Sequence, residues 1–406
     1  MYDLIVAGGG AAGMMAAGVA AKKGKKVLLL EKNEQLGKKL LITGKGRCNL
    51  TNNCEVEEII NNFPGNGKFL YSSLYSFSNW QVRDFFSQLG VETKVERGGR
   101  VFPTSDSARD VVEALKRFIV DNGVEVKLKE AVEELIVVNG VIKGVKTSKS
   151  SYNGDNLLLA VGGAAYPTTG SAGDGYWLAR KVGHNIIQTR PSLVPLEIAE
   201  EWVMELQGLN LRNVTVTLTI AGEEVAEEFG EMLFTHFGVS GPIILTLSRQ
   251  VANNLNQELK LKINLKPALS IEQLDKRLQR DFAKYSRKQF KNSLGDLLPK
   301  GLIPVIINLS SIPEDKFVNQ ITREERRELL KLLTGLELTI TGTKGFRRAI
   351  VTAGGVDTEE IDPGTLESKL VEGLYFAGEL VDIDAYTGGF NLQAAFSMGY
   401  VVGNQV

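Results

Sequence analysis

The sequence is constrained most by its first 31 residues, in which two apolar runs flank a glycine-rich turn. Residues 4–7 are apolar and lead into Gly-Gly-Gly-Ala-Ala-Gly at 8–13; a stretch of small residues follows, and the apolar run 27–30 ends on Glu31. Glycine permits a tight turn and lets a phosphate approach the backbone closely. A strand, a glycine turn, a helix and a second strand ending on an acid are typical of a dinucleotide-binding βαβ unit.

Individual residues of this unit have expected contacts. Gly8 allows the turn, Gly10 leaves room for a pyrophosphate, and Gly13 lets the helix pack closely on the sheet. The helix that starts near Ala11 presents free backbone N–H groups to that pyrophosphate. Glu31 lies 18 residues after Gly13, about where a carboxylate binds an adenosine ribose, and its charge disfavours a 2′-phosphate. The sequence therefore predicts a bound dinucleotide, against the alternative of a glycine-rich packing turn without a ligand.

Composition narrows the class of protein. The uncharged run 4–21 is about long enough to cross a bilayer, but it is rich in glycine and alanine, and Asp3 stands where a secretory signal has basic residues. We therefore expect a cytoplasmic protein without a membrane partner. The net charge of −1 gives no general attraction to nucleic acid. Two cysteines and two histidines make neither a disulfide framework nor a metal site, so we expect a cofactor to carry the chemistry.

The periodicity of the chain predicts a second domain inserted into the first. Residues 1–190 form the first part of the nucleotide-binding domain, and 354–406 return to it. Strict alternation at 214–220 and 259–265 predicts strands of an inserted β-rich domain, which comprises 191–268 and 336–353. Helical patterns at 270–298 and 313–333 predict a helical subdomain over 269–335. The expected fold class is α/β.

Three further segments have the composition of ligand-binding elements. The polar loop 37–52 combines glycines with lysine, arginine, amide and hydroxyl side chains, so it can wrap an anionic ligand or serve as a solvated basic loop. Residues 373–379 read as a strand that ends on Glu379. Residues 388–394 open a final helix, whose N-terminus exposes backbone N–H groups.

Four motifs resemble one known family. They are Gly-Lys-Gly-Arg-Cys-Asn-Leu-Thr-Asn (44–52), Gly-Arg-Val-Phe-Pro (99–103), Phe-Thr-His-Phe-Gly-Val-Ser-Gly-Pro (234–242) and Thr-Gly-Gly-Phe-Asn-Leu-Gln-Ala (387–394). In this order and over nearly the whole chain, they closely resemble the YhiN/BaiN family of FAD-dependent flavoproteins, the NAD(P)/FAD-dependent oxidoreductase or aminoacetone oxidase-like family. The resemblance implies FAD rather than NAD. It also implies a Rossmann-like FAD-binding domain with an inserted β-barrel-like domain that carries a helical subdomain.

Together with the glycine turn, the resemblance gives a set of expected FAD contacts. On the pyrophosphate and adenosine side they are Gly8, Gly10, Ala11, Ala12, Gly13, Glu31, Lys32, the backbone of Val132, Ala160, Gly162 and Gly163. On the pyrophosphate and flavin side they are Lys39, Gly44, Arg47, Cys48 and Asn49, and on the flavin side they are Gly378, Glu379, Gly389, Phe390, Asn391 and Leu392. Related flavoproteins end the late strand on Gly-Asp, whereas Glu379 is one methylene longer. The dipole of the last helix would stabilise negative charge on the flavin.

Candidates for proton transfer are few. His236 lies in a turn-rich loop of the insertion and is either an acid that acts over the flavin or a structural histidine. Cys48 is either a thiol beside the flavin or a packing residue. No second glycine motif lies in a βαβ unit, so a nicotinamide donor, NADH or NADPH, would have to dock transiently on the flavin.

Three functions follow as alternatives. The first is an FAD-dependent oxidoreductase of a small-molecule substrate, which either reduces an activated C=C bond with NAD(P)H as donor or oxidises a small amine. The second is an RNA-modifying flavoenzyme, suggested by a stretch at 271–300 that is rich in lysine and arginine; a solvated helix explains this stretch equally well, and nucleic acid is not the expected partner. The third is a non-catalytic flavin-binding sensor. The sequence leaves the oligomeric state open.

Overall fold

The computed structural model describes residues 1–406 and divides into two compact units. The first unit comprises Met1–Ser192 and Gly345–Val406, and the second comprises Leu193–Lys344. None of the helices is both long enough and apolar enough to span a bilayer.

The first unit contains twelve strands and seven helices, and its chain enters the second unit after β10. In chain order the elements before that point are β1 (Tyr2–Ala7), α1 (Ala11–Lys22), β2 (Val27–Glu31), β3 (Thr51–Asn52), α2 (Val56–Asn61), α3 (Tyr71–Ser76), α4 (Asn79–Gln88), β4 (Thr93–Val95), β5 (Arg100–Pro103), α5 (Ala108–Asp121), β6 (Glu125–Leu128), β7 (Val132–Val138), β8 (Val141–Thr147), β9 (Ser151–Leu159), α6 (Asp174–Lys181) and β10 (Ile186–Ser192).

The second unit contains six strands and five helices. They are β11 (Leu196–Ile198), α7 (Trp202–Glu205), β12 (Asn210–Ile220), β13 (Glu223–Thr235), β14 (Gly238–Ser240), α8 (Pro242–Asn253), β15 (Leu259–Asn264), α9 (Ile271–Lys284), α10 (Ile303–Leu309), α11 (Arg323–Thr334) and β16 (Leu336–Thr343). The chain then completes the first unit with β17 (Val351–Val356), β18 (Leu374–Phe376) and α12 (Phe390–Gln405).

A seven-stranded sheet forms the centre of the first unit, in the order β6-β2-β1-β9-β8-β7 with β18 also paired to β9. The strands β6, β2, β1, β9 and β18 run parallel, which confirms the Rossmann-like arrangement. The long strand β9 pairs with β8 through its first half and with β18 through its last three residues. A hairpin turn at Asn139 and Gly140 joins β7 to β8, and both residues have positive φ.

Helices α1 and α12 pack against each other at very short range. A Cβ atom at Gly399 would overlap the carbonyl group of Ala12, and a Cβ at Gly403 would be 2.7 Å from the carbonyl oxygen of Ala16. Every residue from Ala11 to Ala21 of α1 is buried. This explains why the run of small residues in α1 is uncharged without being a membrane segment, since it is the centre of a packed core.

The chain leaves and re-enters the first unit at different points from those expected. The sequence places the boundaries after residues 190 and 353, whereas the units separate after Ser192 and after Lys344. The physical reason at the second boundary is β17, which pairs antiparallel with β10 of the first unit. A further small sheet, β3-β5-β4, joins the two motifs at 44–52 and 99–103, the first of which the sequence predicted as a polar loop.

The second unit is a closed antiparallel barrel with a helical region. The barrel order is β11-β14-β13-β12-β15-β16, with β11 paired back to β16, and this confirms the barrel-like insertion. Alternate residues of its strands face a common core, for example Val216, Leu261 and Leu338. The helix expected over 270–298 ends earlier, at Lys284, because Gln289 pairs with Phe317 in an extended bridge. The helix expected at 313–333 begins only at Arg323.

Candidate functional site

The glycine turn between β1 and α1 is tightly packed except at one position. Gly8 has φ +104°, and a Cβ there would overlap the carbonyl group of Ala160. A Cβ at Gly13 would overlap the carbonyl oxygen of Gly8. At Gly10, in contrast, a Cβ would have no heavy atom within 4 Å. Helix α1 starts at Ala11 with no side-chain cap, so its first N–H groups face this open space without a side-chain acceptor.

Glu31 is buried at the end of β2 and is held by three donors. Its Oε2 accepts a hydrogen bond of 2.8 Å from the backbone N–H of Gly9. Its Oε1 accepts two of 2.7 Å, from the backbone N–H and the side-chain amide of Asn33. A carboxylate has about four lone-pair positions. The carboxylate is therefore fixed in orientation beside the glycine turn and retains capacity for one further donor, such as a ribose hydroxyl.

The segment before β7 runs beside the end of β2. The backbone N–H of Glu130 donates to the carbonyl oxygen of Glu31 at 3.0 Å. Val132 follows two residues later as the first residue of β7 and is partly buried. Lys32 forms an ion pair with Asp174 at the start of α6. The structure thus brings Val132 near the Glu31 end of the turn, while it engages Lys32 in a contact within the protein.

The residues that follow β9 lie next to the glycine turn. The backbone N–H of Ala160 donates to Ala7 at 2.9 Å, which continues the parallel pairing of β1 and β9 past their ends. Gly162 has φ +76°, a conformation that favours glycine. A Cβ at Gly163 would be 2.5 Å from the hydroxyl oxygen of Thr352 and would displace it.

Thr352 of β17 connects this segment to the end of β18. Its hydroxyl accepts hydrogen bonds from the backbone N–H groups of Ala164 at 2.9 Å and Ala165 at 3.0 Å. The same hydroxyl donates to Glu379 Oε1 at 2.9 Å, and that oxygen also accepts from the Thr352 N–H at 2.9 Å. The other oxygen of Glu379 forms an ion pair with Lys39. Lys39 and Glu379, which were both expected to contact the cofactor, therefore belong to one network of hydrogen bonds and an ion pair within the protein.

The ends of β18 and α1 also meet. Gly378 has φ +74°, and a Cβ there would lie 3.5 Å from the Cβ of Ala12. This spacing is ordinary van der Waals contact, so the backbone before Glu379 rests against the first turn of α1. Ala12, expected on the pyrophosphate side, and Gly378, expected on the flavin side, are therefore neighbours in the fold.

The motifs at 44–52 and 387–394 lie side by side, although they are far apart in sequence. The side-chain amide of Asn52 donates at 3.0 Å to the carbonyl oxygen of Gly98 and at 3.0 Å to that of Gly388. The hydroxyl of Thr51 donates to the buried side chain of Gln393 at 2.5 Å. One asparagine thus joins the loop before β5 to the residue just before the N-terminal cap of α12.

The N-terminus of α12 is tied to the preceding segment and has no side-chain cap. Gly389 precedes it with φ +100°. The Asn391 side chain both donates to the carbonyl oxygen and accepts from the N–H of Ala385, each at 3.0 Å. No side chain caps the first turn, which comprises Phe390, Asn391 and Leu392. Its free N–H groups and positive dipole end favour an anionic or electron-rich ligand.

Asn49, in the motif at 44–52, carries a polar atom without a partner. Its side-chain oxygen is buried and has no hydrogen-bond partner in the protein. Gly44 lies against it with φ +56°, and a Cβ on Gly44 would be 3.0 Å from the Asn49 backbone nitrogen. A buried acceptor without a donor costs about 1–3 kcal/mol, so this position calls for a ligand that supplies one.

The thiol of Cys48 is placed in the core. Cys48 is fully buried with φ +60°, and its N–H donates to the carbonyl oxygen of Thr43 at 3.0 Å. Burial raises the pKa of the thiol to about 12, although the Thr43 side chain acts in the opposite direction. A protonated, buried thiol has the properties of a packing residue rather than of a nucleophile or proton donor near neutral pH.

The guanidinium of Arg47 is engaged by two carboxylates. Its guanidinium forms ion pairs with Glu96 and Asp106, and these hydrogen bonds raise its pKa above the ordinary value. It also stacks 4.1 Å from the ring centroid of Phe102. Within the protein these contacts link Arg47 to the segments on either side of β5, and its expected contact with the cofactor stays a prediction.

The two histidines lie in different units. His236 is exposed on the turn between β13 and β14, with its ring edge-to-face with Phe237 at 4.9 Å. His184 is buried in the first unit, where its ring nitrogens lie 3.0 Å from Glu360 Oε2 and 2.8 Å from Ser368 Oγ. The position of His184 after α6 suggests a helix cap, but its side chain instead ties α6 to the segment before β18.

All the expected cofactor-binding residues lie in the first unit. The sequence did not predict three residues that form hydrogen bonds around them, namely Asn33, Asn52 and Thr352. Asn33, which holds Glu31, follows it by two residues and matches a common Asx pattern that could have been found. Asn52 lies inside a quoted motif, but its bridge to Gly388 depends on a long-range contact. Thr352 lies in an ordinary strand sequence that carries no local signal.

Comparison with known proteins gives relatives over nearly the full length. A bile-acid enzyme of Clostridium scindens named "3-dehydro-bile acid delta(4,6)-reductase" is 34% identical over 92% of this chain and 91% of its own. An Escherichia coli protein named "Ribosomal RNA dihydrouridine synthase" is 32% identical over 98% of this chain and 96% of its own. The solved 3-ketosteroid delta1-dehydrogenase of Sterolibacterium denitrificans shares the fold, with a TM-score of 0.54, 13% identity, and coverage of 100% of this chain and 99% of that one.

The fold, the site and these relatives define an FAD-dependent oxidoreductase. The open position at Gly10, the unpartnered oxygen of Asn49 and the two uncapped helix N-termini fit such a dinucleotide. The chain belongs to the HI0933-like family, described as "HI0933-like protein Rossmann domain", which matches residues 2–405. This confirms the resemblance found in the sequence motifs.

Proposed function

We propose that the protein reduces a C=C bond conjugated to a carbonyl group, with FAD held in the first unit and NADH or NADPH as the electron donor. One observation carries the proposal. The two named relatives act on different molecules, but a delta(4,6)-3-oxo bile acid and a uracil ring both present a C=C bond conjugated to a carbonyl. The reaction type is therefore common to both relatives, while the substrate is not.

Each part of the site has a role under this proposal. The turn at Gly8, Gly10 and Gly13 and the N-terminus of α1 bind the pyrophosphate, and Glu31 accepts from the ribose. Bound FAD supplies the hydride-transfer chemistry. The N-terminus of α12 would provide a positive dipole end that stabilises negative charge on the bound cofactor. The proton donor that the sequence suggests, His236, belongs to the second unit and stays a prediction.

Steady-state consumption of the donor tests the reaction. We expect anaerobic NADH or NADPH consumption to depend on a steroid or cyclic enone and to be absent with the corresponding saturated ketone. The product should contain one saturated C–C bond per nicotinamide consumed. Turnover of small amines with oxygen, and none of enones, would contradict the proposal.

Modification of RNA is the second candidate, and the name of the Escherichia coli relative favours it. The stretch at 271–300 does not itself strengthen it, because Arg277 pairs with Asp281 at 2.7 Å and Lys284 with Asp296 at 2.6 Å. The test is incubation of unmodified ribosomal RNA fragments with enzyme and donor, followed by mass analysis of the nucleosides. Formation of dihydrouridine would support this candidate, and its absence with active enzyme would exclude it for those fragments.

A further inference from the structure

Two loops of the first unit carry an excess of positive charge. Residues 44–47 and 94–106 contain five cationic side chains and two carboxylates, whereas the whole chain has a net charge of −1. Both carboxylates are already occupied, since Glu96 pairs with Arg47 and Asp106 pairs with Arg47 and with Lys94 at 2.6 Å. The remaining cations, Lys45, Arg97 and Arg100, are exposed and form no ion pair. We call these three residues the cationic rim.

The cationic rim is held in place by the fold. Arg100 donates from Nε to the carbonyl oxygen of Arg97 at 3.1 Å, and its guanidinium lies 5.8 Å from the ring centroid of Phe102. The guanidinium of Arg47 lies 4.1 Å from the centroid of the same ring. Lys45 has φ +59° in the tight turn before Arg47. The three cations therefore project from short, tied loops rather than from a long mobile segment.

The cationic rim adjoins the N-terminus of α12. The Asn52 side chain spans from the carbonyl oxygen of Gly98, between the two arginines, to that of Gly388, and both hydrogen bonds are 3.0 Å long. A Cβ at Gly389 would overlap the carbonyl group of Thr51. The turn 97–100 is thus one side chain away from the residues we assign to the flavin side of the cofactor.

We propose that the cationic rim selects substrates that carry an anionic oxygen group, a carboxylate or a phosphate, next to the bond that is reduced. This inference rests on the proposed function and specifies its substrate class. Lys45, Arg97 and Arg100 have no carboxylate within ion-pair distance, and an anionic group on the substrate would supply one. Guanidinium groups bind both carboxylate and phosphate oxygens through paired N–H donors. The rim therefore recognises the charge, and the cofactor site recognises the double bond.

A matched pair of ligands tests this on the FAD-loaded protein. A steroid-4-en-3-one carboxylic acid and its methyl ester share one enone and differ by one negative charge. Binding is measured by quenching of flavin fluorescence. We expect the acid to bind about 5–10-fold more tightly than the ester at low salt and about equally at high salt. In Arg97→Gln/Arg100→Gln the preference should fall to about twofold or less while the affinity for the ester is unchanged.

The control variant is Lys22→Gln/Lys25→Gln, which removes two exposed charges at the opposite end of α1 from the glycine turn. It should keep the preference for the acid. A second arm compares a single-stranded uridine-containing oligoribonucleotide with uridine. Arginine-dependent binding of the oligonucleotide, with neither steroid bound, would support the proposal with phosphate as the anion. A preference that survives in the arginine variant, or the absence of arginine-dependent binding in both arms, overturns it. Reduction of the ester reports separately on the proposed function.

Discussion

Thr352 donates its hydroxyl to the carboxylate of Glu379 at 2.9 Å and accepts from the N–H groups of two residues in the segment after β9. Thr352 and Glu379 are 27 residues apart in the sequence, and neither belongs to the glycine turn. Because Thr352 is fully buried, its hydroxyl fixes the relative position of Glu379 and the backbone of Ala164 and Ala165. We regard Thr352 as a positioning residue of the cofactor site.

Thr352→Val should loosen this network without changing side-chain volume. The substitution leaves the N–H groups of Ala164 and Ala165 without their acceptor, at a cost of about 1–3 kcal/mol. We expect the dissociation constant for FAD to rise about tenfold. Thr352→Ser retains the hydroxyl and serves as the control, with a change of about threefold or less. Equal FAD affinity in the valine and serine variants would remove Thr352 from the cofactor site.

Gly10 and Gly13 should respond differently to alanine. A Cβ at Gly10 meets no protein atom within 4 Å, so Gly10→Ala should fold with a stability within about 1 kcal/mol of the parent. It should nevertheless lose most of its FAD, because the methyl group occupies the space we assign to the pyrophosphate. Gly13→Ala forces overlap with Gly8 and should lower the free energy of unfolding by about 1–3 kcal/mol even without FAD.

The measurements for these two variants are thermal melts of the apoproteins and the ratio of flavin to protein absorbance after purification. A Gly10→Ala protein as yellow as the parent would place the pyrophosphate elsewhere. Glu31→Ala provides an independent check, since it removes the carboxylate beside the turn and should also lower FAD retention. Loss of stability in Gly10→Ala comparable to that in Gly13→Ala would contradict the open space seen at Gly10.

His184 should make the protein less stable in acid. Burial lowers its pKa below the ordinary value of 6.5, although hydrogen bonding to Glu360 acts in the opposite direction. The unfolded chain therefore binds the proton more readily, so this contribution is complete above about pH 6.5 and is lost as the pH falls toward the folded-state pKa. In melts between about pH 7.5 and 5.5, the midpoint should fall more steeply for the parent than for His184→Gln. Parallel pH profiles would contradict this assignment.

A single-turnover experiment distinguishes the two proton donors that the sequence suggests, His236 and Cys48. His236→Gln should leave FAD bound and slow enone reduction about 10²-fold or more if His236 is the acid. Cys48→Ala should leave that rate within about twofold, because the thiol has a pKa of about 12 and cannot serve near neutral pH. A large rate loss in Cys48→Ala with unchanged FAD content would show that the packing interpretation of Cys48 is wrong.

The sequence predicted those parts of the fold that local pattern determines. The glycine turn, the acid at Glu31 and the alternation in β12 and β15 depend on neighbours in sequence, and the Rossmann-like unit and the barrel follow from them. Contacts between distant segments left no such pattern. Arg47 had the right chemistry for a phosphate, but the carboxylates that occupy it are 49 and 59 residues away.

Thr352 shows the same limit for the site. Its role depends on a hydrogen bond to Glu379, 27 residues later, and on the N–H groups of Ala164 and Ala165, nearly two hundred residues earlier. The end of the predicted helix at 270–298 was missed for a related reason. The extended bridge between Gln289 and Phe317 overrides the local helical preference of the segment after Lys284.

The most direct test of the account is the absorbance spectrum of the purified protein under anaerobic conditions, before and after the addition of NADH or NADPH and then of an enone. We predict a flavin spectrum that the nicotinamide bleaches and that the enone restores faster than air does. A protein without flavin after reconstitution would contradict the assignment of the cofactor site. A reduced flavin that is indifferent to enones and reacts only with oxygen would contradict the proposed reaction.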